Sequence, residues 1–136
     1  ALFTCASAPN GTGCRNGKQI SAAQRATAVA PPGHSEHHTG YAIDFFPGPA
    51  DLQPHGGCPT RPACTTQALF AQSRSGRWLA ENAWRYGFEQ SFFPGSTQGV
   101  MVEPWHYRFV GTAQAETTFA TARTQFAPPR KGQRVG

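Results

Sequence analysis

The sequence predicts an α+β fold, a small single domain in which helices flank a central antiparallel sheet and long loops are stapled by disulfides. The chain has 136 residues, enough for one domain with a hydrophobic core. Its 15 glycines and 12 prolines indicate long loops between short elements. The periodic segments follow the order strand, helix, strand, strand, which favours a small antiparallel sheet. We expect residues 1–127 to form this domain and residues 128–136 to be a disordered tail.

The first half of the chain contains one short helix and one strand. Residues 1–20 are small, polar and turn-rich and predict a loop. Residues 21–30 suit a short helix that stops at Pro31, because proline breaks a helix at the residue before it. Residues 39–46 carry aromatic and β-branched side chains, which favours a strand. Residues 47–64 hold five prolines and three glycines and predict a long loop.

The clearest helix follows this long loop. Ser73 or Ser75 can be its N-cap, because a serine side chain accepts a hydrogen bond from the first turn. Gly87 suits the position just after the helix, where glycine readily adopts a positive φ. Four apolar residues lie near one helix face: Trp78, Leu79, Ala83 and Tyr86.

The second half of the chain supplies the remaining strands. Residues 100–102 and 106–110 predict two strand pieces interrupted by Pro104, since proline cannot donate to a sheet. Residues 113–126 suit a C-terminal helix. These segments complete the predicted α+β order.

The four cysteines form two local pairs. Cys5 and Cys14 lie in one loop, and Cys58 and Cys64 lie in another. Three pairings are possible, and proximity in sequence favours Cys5–Cys14 and Cys58–Cys64 disulfides. A structural zinc site is the alternative, although neither spacing is the usual C-x2-4-C. Disulfides indicate an oxidising compartment, so we expect an exported protein, secreted or in the periplasm or cell wall.

The charge of the chain restricts its partners. The formal net charge is +5, and only seven residues are acidic. A basic surface favours polyanions such as nucleic acid, anionic lipid or acidic wall polymers. The Lys and Arg residues are scattered and no nucleic-acid-binding motif occurs, which argues against nucleic acid. No apolar run is long enough for a membrane span.

Two short segments together supply the parts of a catalytic zinc site. His37 and Asp44 are separated by Gly40, which lets the chain turn before the strand begins, so the two side chains can converge. Further along, Glu103 and His106 lie at the break between two strand pieces. Two histidines and one aspartate leave a fourth position for water, as in catalytic zinc sites. Glu103 could then act as general base.

Each of these residues also has an ordinary structural interpretation. Histidines in polar loops are usually solvated, and we expect this of His34, His38 and His55. Asp44 could cap a turn or pair with an arginine. A lone E-x-x-H pattern recurs by chance. The combination of the two segments in a chain poor in carboxylates favours the metal site.

The two segments match a known pair of motifs. The stretch SEHHTGYAID fits S-x-H-x-x-G-x-A-x-D, and EPWH fits E-x-x-H. Together they resemble the VanY-like branch of the zinc D-alanyl-D-alanine carboxypeptidases and related peptidoglycan peptidases of the LAS group, over about residues 25–111. The resemblance implies a small α+β domain with a central antiparallel sheet. It also implies that His37, Asp44 and His106 bind zinc and that Glu103 is the catalytic base.

The resemblance extends to residues around the site. It implies that Trp105 and Tyr107 flank the site and bind substrate, and that Ser35 supports the loop of His37. The family's upstream substrate-binding arginine does not occur in its usual motif. The first residues, ALF, are similar to the end of that motif, so we expect the arginine to precede Ala1. The alternative is that Arg15 or Arg25 replaces it.

These features predict a monomeric zinc metallopeptidase whose partner is the peptidoglycan stem peptide. Removal of the terminal D-Ala from D-Ala-D-Ala is the favoured reaction. One alternative is an endopeptidase that cuts within the stem or a crossbridge. The other is a non-catalytic, zinc-stabilised module that binds the wall, although pure binding requires no general base.

Overall fold

A computed structural model describes residues 14–15, 18–19, 21–52 and 65–126. The chain divides into two compact units, residues 1–35 and 36–136. The first unit contains a two-stranded antiparallel pair, β1 (Cys14–Arg15) and β2 (Lys18–Gln19), followed by the helix α1 (Ala22–Ala26). The predicted short helix is thus present, but it ends before the expected residue 30.

The second unit is built on a three-stranded antiparallel sheet. Its strands are β3 (Ala42–Asp44), β4 (Phe88–Gln90) and β5 (His106–Phe109). Their order is β3-β5-β4, so β5 is central and pairs with both neighbours. The predicted α+β class with an antiparallel sheet is confirmed.

The second unit also contains α-helices and short 3-10 helices, which lie before, between and after the strands in the sequence. Among the described residues of this unit, the α-helices are α2 (Thr66–Gln72), α3 (Arg74–Asn82), α4 (Ala113–Thr118) and α5 (Ala120–Gln125). Single-turn 3-10 helices lie at Glu36–Thr39, Pro49–Leu52 and Ala83–Tyr86. The described helices include none with the length and apolar character needed to cross a bilayer.

Both ends of the α3 region are capped as the sequence predicts. The Ser73 hydroxyl accepts a hydrogen bond from the Gly76 N–H, and the Asp51 carboxylate accepts from the N–H groups of Arg74 and Ser75. After the following 3-10 turn, Gly87 has a φ of 79°. A side chain there would be strained, so glycine ends this helix.

The hydrophobic core lies between the sheet and the helices α2 and α3. Phe70, Leu79, Ala83 and Tyr107 form its buried cluster. Partly buried side chains pack against that cluster: Phe45, Leu52, Phe88 and Trp105. Edge-to-face contacts join the Phe45 ring to those of Phe88 and Tyr107. The core therefore covers one face of the sheet, which leaves the other face for polar side chains.

Several predicted elements differ from the structure. The strand expected over residues 39–46 is confined to β3, because Gly40 at φ 74° separates it from a 3-10 turn. Residues 100–102 form no strand. The helix expected over residues 113–126 is two helices that break at Phe119.

The sequence pattern predicts neither the strand pair β1 and β2 in the first unit nor helix α2 and strand β4 in the second. Helix α2 is short and starts at Thr65, whose hydroxyl caps it by accepting from the Ala68 N–H. Strand β4 is three residues long and directly follows Gly87. Short elements of this kind carry too few residues for a clear period. Cys5, Cys58, Cys64 and residues 128–136 lie outside the described residues, and the side chain of Cys14 is not described.

Candidate metal centre

The pairing of β3 with β5 brings the two distant motifs together. Asp44 lies directly opposite His106, and Ala42 lies opposite Arg108. Side chains at directly paired positions project from the same face of a sheet. Asp44 and His106, 62 residues apart in sequence, therefore meet, and His106 Nδ1 lies 3.0 Å from Asp44 Oδ1.

His37 reaches the same point from the turn before β3. It lies in the 3-10 helix Glu36–Thr39, and the positive φ of Gly40 turns the chain into the strand. Its Nδ1 contacts the carbonyl oxygen of Ala42 at 3.1 Å. That contact directs the other ring nitrogen, Nε2, to within 3.4 Å of Asp44 Oδ1.

The three side chains fit a zinc ion by donor type and spacing. One ligand atom from each of His37, Asp44 and His106 lies within 4.8 Å of the others. In a tetrahedral site with bonds of about 2.0–2.1 Å, ligand atoms are separated by about 3.3 Å. The two separations from Asp44, 3.4 Å and 3.0 Å, are close to this value. Two imidazoles and one carboxylate form a set that binds zinc and leaves a position for a small molecule.

The cluster is open on one side and closed on the other. The side chains of His37 and Asp44 are 42% and 48% exposed, whereas that of His106 is 2% exposed. The ring of Phe92 lies 4.6 Å from that of His106, centroid to centroid. A ligand can therefore approach from the side of His37 and Asp44, while His106 forms the fixed wall.

Glu103 stands beside the cluster on a tight turn. The His106 N–H donates to the Glu103 carbonyl, and the Glu103 N–H donates to the carbonyl of Phe92. Its Oε2 lies 3.9 Å from His106 Nδ1. Burial raises the pKa of Glu103 above its ordinary value, and the negative charge of Asp44 adds to this while His106 opposes it. Such a carboxylate is suited to exchange protons.

Glu36 is a site residue that the sequence reasoning missed. Its Oε2 lies 3.0 Å from His106 Nε2, and the Ser91 hydroxyl donates to the same oxygen. Its Oε1 accepts a hydrogen bond from Arg108 Nη1 at 2.9 Å. Burial alone would raise the pKa of Glu36, but the contacts with His106, Ser91 and Arg108 together hold it below its ordinary value.

His106 thus has a carboxylate on each side of its ring. Burial alone would lower the pKa of this imidazole, but Glu36 and Asp44 outweigh burial and raise it. Two carboxylates around one imidazole favour a positive charge at this point. A cation bound by the cluster would satisfy the same carboxylates.

Arg108 ties the site to the rest of the sheet. Its side chain is 1% exposed, and its Nε donates to Glu89 Oε1 at 2.7 Å. Its guanidinium carbon lies 5.4 Å from the centroid of the Phe119 ring. Arg123 joins Glu89 to Glu116 through contacts of 3.1 and 2.7 Å. Five of the seven acidic residues are therefore connected by close contacts with His and Arg side chains: Glu36, Asp44, Glu89, Glu103 and Glu116.

Glu36 could have been found from one signal in the sequence. The chain is poor in carboxylates, and this one directly precedes His37. Metal-binding histidines generally donate their second N–H to a carboxylate or carbonyl, so a neighbouring glutamate is a candidate for that role. Arg108 carried no comparable signal, because its partners are distant in sequence.

The structure corrects one predicted substrate contact. Tyr107 is 3% exposed and lies in the core cluster, because it alternates with His106 and Arg108 and projects from the opposite face of β5. Burial raises its pKa to about 12. Tyr107 therefore packs the core instead of contacting substrate.

The other predicted substrate-binding residues are Trp105 in the second unit and Ser35 and Arg15 in the first. Trp105 is partly buried and packs edge-to-face on Phe70. Ser35 and Arg15 belong to the first unit, and the side chain of Arg15 is not described. Substrate contacts by these three residues stay predictions.

A known protein family matches most of the chain. The model of the VanY family, D-alanyl-D-alanine carboxypeptidase, matches residues 13–112. All three residues of the cluster and Glu103 lie within this range.

Curated proteins and solved structures give similar results. A D-alanyl-D-alanine carboxypeptidase of Enterococcus faecalis is 39% identical over 95 residues, 68% of this chain and 29% of that protein. One of Enterococcus faecium is 32% identical over 83 residues, 60% of this chain and 22% of that protein. The structure of VanYB in complex with D-alanine-D-alanine is 34% identical, with a TM-score of 0.44, over 73% of this chain and 46% of that chain.

These matches cover only part of each relative. The chain spans between a fifth and a third of the length of the curated relatives and less than half of the VanYB chain. The structure of a mutant VanY D,D-pentapeptidase in complex with Zn(II) is 35% identical, with a TM-score of 0.42, over 72% of this chain and 46% of that chain.

Proposed function

The chain belongs to the VanY D-alanyl-D-alanine carboxypeptidase family, and from this premise we propose that it is a zinc-dependent peptidase acting on the stem peptide of bacterial peptidoglycan. The reaction that we propose removes the terminal D-Ala from D-Ala-D-Ala. One observation carries the proposal: His37, Asp44 and His106 converge within 4.8 Å, with the Glu103 carboxylate beside them.

The three converging side chains would hold the metal. His37 would bind through Nε2 and His106 through Nδ1, since these atoms approach Asp44 Oδ1. When bound there, Zn²⁺ supplies Lewis-acid chemistry, which lowers the pKa of water and polarises a peptide carbonyl. Every other part of the reaction falls to side chains of the chain itself.

Glu103 would move the proton. As a carboxylate it takes a proton from the attacking water, and as a carboxylic acid it returns that proton to the leaving amine. The backbone of Glu103 is held by the turn that joins it to His106. Gln90 Nε2 also donates a hydrogen bond to the Glu103 carbonyl. A fixed base loses little conformational freedom on reaching the transition state.

The surroundings of the site belong to the same proposal. Trp105, Ser35 and Arg15 are candidate substrate contacts. The disulfides Cys5–Cys14 and Cys58–Cys64 would suit a location in the periplasm, the cell wall or outside the cell. We propose that the protein acts there as a monomer.

The proposed reaction is tested by mass spectrometry of products from purified muropeptides that carry a pentapeptide stem. The protein is incubated with them in the presence and absence of a chelator. We expect loss of a single alanine that the chelator abolishes and added zinc restores. A chelator-sensitive cut within the stem or a crossbridge would make the protein an endopeptidase, and no product at all would contradict the enzymatic proposal.

A further inference from the structure

We propose that Glu36 is a positioning residue that sets which ring nitrogen of His106 faces the metal. This inference rests on the proposed function, since it concerns the same cluster. Glu36 does not belong to the converging set and lies on the far side of the His106 ring from Asp44. Its action is therefore exerted through His106.

The two nitrogens of His106 face two different carboxylates. Nε2 lies 3.0 Å from Glu36 Oε2, and Nδ1 lies 3.0 Å from Asp44 Oδ1. A neutral imidazole carries one N–H and one lone pair. A cation held by the cluster requires the lone pair of the nitrogen that faces it, and that nitrogen is Nδ1, on the side of Asp44 and His37. The N–H then belongs at Nε2, where the Glu36 carboxylate accepts it.

Glu36 is itself held in place at both oxygens. Arg108 donates to Oε1 and Ser91 donates to Oε2, the oxygen that faces His106. The Glu36 side chain is only 13% exposed, so water competes little for these contacts. A carboxylate restrained at both oxygens keeps its orientation, and it transmits that orientation to the imidazole.

A purely structural role for Glu36 is the competing explanation. Arg108 is buried and requires a negative partner, but Glu89 already accepts from its Nε. Buried ion pairs contribute little net stability on average. The second carboxylate on Arg108 is thus not needed to neutralise a lone cation, whereas it is the group that meets His106 Nε2.

Two readouts separate these explanations. Zinc affinity is measured by competition with a chromophoric chelator for the wild type, Glu36→Gln and the matched control Glu81→Gln. Glu81 is exposed and lies on α3, a different element from those that carry Glu36, the three cluster residues and Arg108. Loss of a carboxylate that orients a metal-binding histidine typically weakens binding about 10- to 100-fold. We expect that loss for Glu36→Gln and none for Glu81→Gln, with zinc alone as the probe.

The second readout needs only the wild-type protein. Long-range ¹⁵N–¹H NMR of the zinc-loaded chain reports which His106 nitrogen carries the proton. We expect the proton at Nε2 and the metal at Nδ1. A metal-bound Nε2 would overturn the inference, and this holds even if Glu36→Gln does not fold.

A third variant, Ser91→Ala, should have a smaller effect on zinc affinity. Ser91→Ala removes the donor to Glu36 Oε2 and keeps the carboxylate. We expect a smaller loss of zinc affinity than with Glu36→Gln. Wild-type zinc affinity in a folded Glu36→Gln variant would overturn the inference and leave the proposed function standing. Absence of zinc binding in the wild type would instead overturn both.

Discussion

The two faces of the three-stranded sheet differ sharply, although they alternate along the same strand. On β5, His106 and Arg108 project from one face and meet the carboxylates of Asp44, Glu36 and Glu89. Tyr107 projects from the other face into the aromatic core.

This contrast shows how a small domain can combine chemistry with stability. Because side chains alternate along a strand, one short segment contributes to both functions without sharing a position. Burial of the apolar face favours folding. The polar face can then hold the ionisable groups of His106 and Arg108 together with their carboxylate partners.

The largest effect is expected from Glu103 on the polar face. Glu103→Gln should lower kcat about 10²- to 10⁴-fold, because it removes the general base. Zinc affinity should stay within about threefold of the wild type, since Glu103 is not in the converging set. Product release from pentapeptide muropeptides gives kcat, with Glu81→Gln as control. Unchanged turnover would contradict the role of Glu103 as general base, whereas absence of turnover in the wild type as well would support a module that only binds the wall.

A comparable effect, but on stability, is expected from the apolar face. Phe70 is 1% exposed at the centre of the core cluster. Phe70→Ala should reduce the free energy of unfolding by about 3–5 kcal/mol, through lost burial and the cavity that remains. Phe46→Ala is the matched control, because Phe46 is 77% exposed and its loss should change stability by less than about 0.5 kcal/mol. Denaturant titration measures both, and equal losses would contradict the assignment of the core.

A smaller, pH-dependent effect is expected at the start of α3. Hydrogen bonds from Ser75 and Arg74 hold the pKa of Asp51 below its ordinary value of 3.8. The folded state therefore favours the ionised form, and this stabilisation is present above pH 3.8 and lost as the pH falls through the lowered pKa. Asp51→Asn should lower Tm at neutral pH, and the difference from the wild type should shrink in acid. A difference that is independent of pH would contradict this.

The smallest effect is expected from Tyr107, which projects from the apolar face although its neighbours in β5, His106 and Arg108, project from the polar face. Tyr107→Phe keeps the aromatic ring in the core. It should change kcat/KM by less than about threefold, because the packing of that ring is preserved. Steady-state kinetics on a D-Ala-D-Ala peptide measures it. A drop of tenfold or more would restore Tyr107 to the substrate site and contradict its position on the apolar face.

The motif residues could be predicted from sequence because their types and spacing are specific to one chemistry. The two segments predict that His37, Asp44, Glu103 and His106 form one site, and the structure places these side chains side by side. The capping residues of α3 were also predictable, since Ser73 and Gly87 act through local backbone geometry.

The supporting network could not be predicted in the same way. Glu36 and Arg108 are 72 residues apart, and nothing in either segment specifies the other. Tyr107 was misplaced because its neighbours in the motif are functional, whereas the strand period directs it to the core. Alternation along β5 decides the position of Tyr107. The contacts of the 3-10 turn at Glu36 with His106 and Arg108 form only in the folded unit.

The most direct test of the zinc centre on the polar face is X-ray absorption spectroscopy of the protein loaded with one equivalent of Zn²⁺. We expect only nitrogen and oxygen ligands at about 2.0–2.1 Å, with the scattering pattern of two imidazoles. Sulfur at about 2.3 Å would place the metal on the cysteines and contradict a centre formed by His37, Asp44 and His106.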